Sequence, residues 1–115
     1  MTEAIKTIAI LGGTGDLGTG LARRWSEAGY AVIIGSRTQD KAAAAAADLK
    51  AVMAERGVGS ISVEAMENLD AARAADLVAL TVPFSHQAST LDYVRDALDG
   101  KILIDVLFGD KDHFR

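Results

Sequence analysis

ILGGTGDLGTGLA, Ile10 to Ala22, places five glycines in thirteen residues directly after an apolar run. Glycine in a helix interior costs roughly 0.5–1 kcal/mol relative to alanine. A cluster like this therefore marks a tight turn, or a place where another group approaches the backbone. The flanking residues supply the setting. Upstream, Thr7–Leu11 reads TIAIL, the pattern of a short strand buried on both faces. Downstream, Leu17, Leu21, Ala22, Trp25 and Ala28 recur at helical spacing, and Gly29 stands where a left-handed C-terminal cap belongs. The stretch joins a buried strand to a helix.

The same alternation continues along the chain. Ala31–Gly35 (AVIIG) predicts a second strand, and Thr38 predicts the N-cap of a helix to about Glu55, with Asp40 in its first turn. Residues 60–62 (SIS) with Val63 predict a short third strand, and Asn68 the cap of a small helix through Ala75. Leu77–Val82 (LVALTV) predicts a fourth strand stopped by Pro83, and Ile102–Val106 (ILIDV) a fifth. Between them Ala88, Leu91, Val94, Arg95 and Leu98 form one helical face, closed by Gly100. Strands that alternate with helices and are apolar throughout predict an α/β fold, a parallel sheet with helices on both faces. Right-handed crossovers give a doubly wound (Rossmann) sheet of about five strands in the order 3-2-1-4-5. Residues 1–106 are expected to form this domain, and 107–115 a charged tail.

Gly13-Thr14-Gly15-Asp16-Leu17-Gly18 matches G-x-G-x-x-G, in the strand–turn–helix context that makes the motif informative. Gly13 is expected to allow the tight turn, Gly15 to admit a pyrophosphate, and Gly18 to let the helix pack on the strand. The first N–H groups of the helix then face the phosphates. The bland alternative is a glycine-rich turn with no ligand. A P-loop fails because position 19 is threonine where lysine is required. A short-chain dehydrogenase fails because neither Tyr30 nor Tyr93 has a lysine four residues on. At the end of the second strand, where NAD-binding units carry an acid, stand Gly35, Ser36 and Arg37, with Lys41 one turn on. Serine can donate to a 2′-phosphate and arginine can clamp it, so NADP(H) is favoured over NAD(H). The competing reading makes Arg37 and Lys41 solvated helix-start residues, which Asp40 fits better.

Composition narrows the partners. A chain of 115 residues suits one domain, and a net charge of −4 argues against a nucleic-acid partner. The absence of cysteine excludes disulfides, thiolate catalysis and thiolate-bound metals. No apolar run is long enough to cross a bilayer, and the N-terminus MTEAIKT has no apolar core, so a cytoplasmic location is expected. Ser85 and His86 are adjacent and have no identifiable orienting acid, which argues against a hydrolase pair. Ser85 is expected to be a helix N-cap, while His86 is either a cofactor contact or a surface residue.

Together IAILGGTGDLG, VIIGSR and LVALTVPFSH resemble the N-terminal domain of NADPH-dependent F420 reductases (F420H2:NADP oxidoreductases), from about Thr7 to Val106. The resemblance implies hydride transfer between NADP(H) and the deazaflavin coenzyme F420. By position it implies Thr14, Gly15, Asp16 and Leu17 at the pyrophosphate, and Ser36, Arg37 and Lys41 at the 2′-phosphate. Thr81, Val82, Pro83 and His86 are implied along the nicotinamide half. Such chemistry needs no protein nucleophile, because the cofactors carry the reactivity. Family members continue into a helical C-terminal domain, whereas LFGDKDHFR, Leu107–Arg115, does not resemble that continuation. The expectation is a chain that binds NADP(H) but reduces F420 poorly or not at all unless a partner supplies the missing wall. Separately, a second copy or a partner chain is expected to cover the fifth-strand edge. Two alternatives are a non-catalytic NADP(H)-binding module and a reductase of another small substrate, such as an imine or ketone.

Overall fold

The elements run β1 (Thr7–Leu11), α1 (Asp16–Glu27), β2 (Ala31–Ser36), α2 (Gln39–Glu55), β3 (Ser62–Glu67), α3 (Asn68–Ala74), β4 (Leu77–Leu80), α4 (Phe84–Val94) and β5 (Ile102–Asp105). A 3-10 turn, Arg95–Leu98, extends α4. The structure is a computed structural model that describes residues 5–58, 61–82 and 84–106. All five strands pair in parallel in the order β3-β2-β1-β4-β5. Pro83 and the tail from Leu107, including His113, lie outside the described residues.

β1 is central because its residues are apolar on both faces. Ile8 and Ile10 pack with Val32, Ile34 and Met53 on the α1–α2 side. Ala9 and Leu11 pack with Ile33, Ala71 and Val78 on the α3–α4 side. Fully burying an isoleucine or leucine contributes about 1.5–3 kcal/mol, so the central strands dominate the core. Within α2 the buried residues Ala42, Ala46, Leu49 and Met53 follow the helical period and form one stripe against the sheet.

Three expectations need correction. β3 runs Ser62–Glu67, later and longer than residues 60–63, because SVEAME is an edge strand half open to water and lacks an apolar run. Asn68 does not cap α3: Glu67 does, its Oε1 accepting from the Leu69 N–H at 3.0 Å, while Asn68 is buried. β5 is apolar up to Asp105, yet among the described residues nothing covers it, with Ile102, Leu103 and Ile104 at 52%, 40% and 38% exposure. Register places Ile102 and Ile104 on the face of Leu77 and Ala79, and Leu103 on the face of Val78. Both sides of the strand therefore meet water.

At the N-terminal end of the sheet Asp76 holds the start of β1, its Oδ2 accepting from the Lys6 and Thr7 N–H groups, each at 3.1 Å. Those bonds, that from Lys6 first, hold the Asp76 carboxyl below its ordinary value of 3.8. A lowered pKa in the folded state adds stability that is complete above the unfolded value and lost as pH falls through the folded one. The stability difference between wild type and Asp76→Asn is thus expected to be largest at neutral pH and to shrink below the ordinary value of 3.8. Urea melts across that range check it; a pH-independent gap would contradict it. Among the described residues no helix is long and apolar enough to cross a membrane.

Candidate functional site

A cavity of about 550 Å³ opens above the C-terminal ends of β1, β2 and β4, beside the first turns of α1 and α4. Its floor is the glycine turn. Gly12 has φ +75°, and a Cβ there would stand 2.5 Å from Val82 Cγ1 and 3.1 Å from Val82 N. The left-handed residue is therefore Gly12, a correction to the assignment of the tight turn to Gly13. Gly13 donates its N–H to the Gly35 carbonyl at 2.9 Å, and a Cβ on it would lie 2.9 Å from Ile10 O. A Cβ on Gly18 would lie 2.6 Å from Gly13 Cα, so α1 sits directly on the turn. Thr81 closes the arrangement, donating from Oγ1 to Leu11 O at 2.8 Å and to Gly12 O at 3.2 Å.

Gly15 differs from these. The nearest heavy atom to a Cβ built on it is Gly12 O at 3.9 Å, and its φ of −82° suits any residue. The packing of the chain has no need for glycine there, yet the position faces the cavity. α1 is also left open at this end. Thr38 Oγ1 caps α2 by accepting from Lys41 N–H, and Glu67 caps α3, but no side chain caps α1. The first helical bond in α1 runs from Thr19 N–H to Gly15 O, so the N–H groups of Asp16, Leu17 and Gly18 precede it. They concentrate partial positive charge at the cavity mouth.

Over the end of β2 stand Ser36, buried, and Arg37 and Lys41, exposed. Among the described residues neither cation is in an ion pair. The opposite wall comes from Thr81, Val82 and, on α4, His86. Ser85 and His86 lie in the first turn of α4, which begins at Phe84. On the same helix the Glu67 carboxylate beside Tyr93 raises its phenol above the ordinary value of 10.0.

Ten of the thirteen expected site residues line the one cavity: Thr14, Gly15, Asp16, Leu17, Ser36, Arg37, Lys41, Thr81, Val82 and His86. Gly13 and Gly18 lie beneath it, buried in the turn and the helix start. Sequence reasoning missed Gly12, Asn68, Ser89 and Thr90, which also line it. Thr81 lines the cavity, with its hydroxyl hydrogen committed to backbone carbonyls at the turn. Thr81→Val is expected to cost about 1 kcal/mol of stability, the usual net scale for a lost hydrogen bond, since Leu11 O keeps the Thr81 N–H and Gly12 O keeps the Gly15 N–H. Denaturant unfolding measures it; a loss below a few tenths would show the bond to be incidental.

Residues 7–109 match the family model described as NADP oxidoreductase coenzyme F420-dependent. The F420-dependent NADP reductase of Methanothermobacter thermautotrophicus is 50% identical over 101 residues, which is 88% of this chain and 42% of that protein. The F420-dependent NADP reductase of Methanocaldococcus jannaschii is 41% identical over 99 residues, 86% of this chain and 44% of that one. A crystal structure assigned to an F420-dependent NADP-reductase from Arthrobacter sp. FB24 superposes with a TM-score of 0.67 at 27% identity, over 90% of this chain and 46% of that one. The chain thus spans less than half the length of the curated relatives it matches. With the glycine turn, the five-stranded parallel sheet and a family match over nearly all its residues, the chain belongs to the coenzyme F420-dependent NADP oxidoreductase family.

Proposed function

We propose that this chain is the NADP(H)-binding part of a cytoplasmic oxidoreductase that passes hydride between NADP(H) and coenzyme F420, with residues 1–106 as the nucleotide-binding unit. The observation that carries the proposal is Gly15: a glycine that internal packing does not require, at an uncapped helix start, facing the cavity. The N–H groups of Asp16, Leu17 and Gly18 hold the diphosphate, and Thr14 lies at its side. Gly13 and Gly18 bring the helix start close enough to do so. Ser36, Arg37 and Lys41 hold the 2′-phosphate, with Arg37 supplying a planar fork. Thr81, Val82 and His86 form the wall along the nicotinamide half. When bound, NADP(H) supplies the transferable hydride; the chain's residues orient the ring and keep water from it.

Uncovered β5 bears on the second half of the reaction. Its three exposed aliphatic residues and an edge that no described residue pairs with suit coverage by further polypeptide, whether a second copy or another chain, which also completes the F420 pocket. The test is titration with NADPH, followed by absorbance of F420 on mixing. The 115-residue chain is expected to bind NADPH and to turn over F420 slowly or not at all. Fast turnover by the monomeric chain would refute the need for coverage, and absence of NADPH binding would refute the site.

A further inference from the structure

Asn68 is only 4% exposed, yet its side chain reaches the cavity. Its Oδ1 accepts from the Gly12 N–H at 3.4 Å and lies 2.8 Å from where a Cβ on Gly35 would stand. Because the Gly12 nitrogen can only donate, the amide must turn its oxygen toward that turn. Nδ2 is then the polar end left to the cavity, and among the described residues it makes no hydrogen bond. No buried polar side-chain atom among those residues is both sealed from solvent and unpartnered, so this nitrogen keeps access to the cavity. A nearly buried amide donor with no protein partner needs water or a ligand to satisfy it.

Its place in the fold says which ligand atoms it meets. Asn68 reaches Gly12, at the diphosphate end of the proposed site, and Gly35, two residues before Arg37 at the 2′-phosphate end. We propose that Asn68 Nδ2 donates to the ribose–phosphate segment of the adenosine half of NADP(H), making Asn68 a further residue, beside Ser36, Arg37 and Lys41, that selects the phosphorylated cofactor. The inference rests on the reading of the cavity as an NADP(H) site. The residue type fits. An amide offers donors to phosphate oxygens, whereas a carboxylate of the same shape would repel a 2′-phosphate and accept from the 2′-hydroxyl of NAD(H).

Asn68→Asp is the informative variant, because it keeps the acceptor for Gly12 N–H and replaces the donor with an anion. Titrations with NADPH, NADH and 2′,5′-ADP are expected to show NADPH and 2′,5′-ADP weakened about tenfold, with NADH nearly unchanged. Equal weakening of NADPH and NADH would mean a purely structural role and would overturn the proposal. In case the variant does not fold, the wild-type side-chain amide gives an independent reading. Its Nδ2H2 resonances are expected to shift on adding 2′,5′-ADP, along with the backbone amides of Gly15 to Leu17. Shifts at those backbone amides with a stationary Asn68 side chain would overturn this inference alone. Failure of NADPH and 2′,5′-ADP to bind wild type at all would overturn both it and the site reading.

Discussion

Gly15→Val is expected to leave the sheet and its melting behaviour unchanged while weakening NADPH at least about a hundredfold. Two charge-assisted hydrogen bonds to phosphate, at roughly 1.5–3 kcal/mol each, more than cover that loss. Valine is tolerated by the fold because φ −82°, ψ 173° is extended backbone and the nearest atom to its Cβ is 3.9 Å away. Its methyl groups would occupy the approach to the N–H groups of Asp16 and Leu17. Gly18→Val provides the contrast, since its Cβ would stand 2.6 Å from Gly13 Cα and force α1 off the turn. That variant is expected to lose stability first. Circular dichroism with calorimetric titration separates the two outcomes. A Gly15→Val protein that binds NADPH as well as wild type would mean the diphosphate does not lie there.

Arg37→Ala is expected to lower NADPH affinity at least about tenfold while leaving NADH nearly unchanged, from the loss of one charge-assisted pair of roughly 1.5–3 kcal/mol. Because Arg37 and Lys41 are both exposed, the effect should shrink as salt is raised. Lys41 shares the same charge, so Arg37→Lys is expected to recover only part of the loss, for lack of the bidentate fork. Equal losses for NADPH and NADH would assign Arg37 a structural role. The exposed Asp16 carboxylate lines the same cavity as the open N–H groups at the start of α1. At the same time it stabilises the start of α1 through the helix dipole.

The sequence discloses the central strands because their composition is one-sided. TIAIL, AVIIG and LVAL bury nearly every residue, and only buried parallel strands read that way. SVEAME hides its strand because an edge position exposes alternate residues and leaves few apolar markers. Thr38 was legible as a cap because its hydroxyl bonds locally, to Lys41 N–H three residues on. Asn68 carries the same kind of capping signal, but its partner is Gly12, which no local rule can anticipate. The glycines show the same limit. Spacing identifies the turn, but it is Val82, distant in sequence and just past the end of β4, that crowds Gly12, the glycine held at positive φ. Ser89 and Thr90 reach the cavity only because β4 lies beside β1 and carries α4 to that rim. They have no signature of their own in the sequence. β5 reads as a buried strand because its residues are apolar, and what covers them is not encoded in its own pattern.

Backbone amide spectra of the labelled chain, recorded during a titration with NADPH, test the central claim most directly. The account expects saturable shifts concentrated at Gly12 to Gly18 and at Ser36 to Lys41, weaker with NADH in the second group. Shifts scattered over the surface, or none at millimolar NADPH, would contradict it.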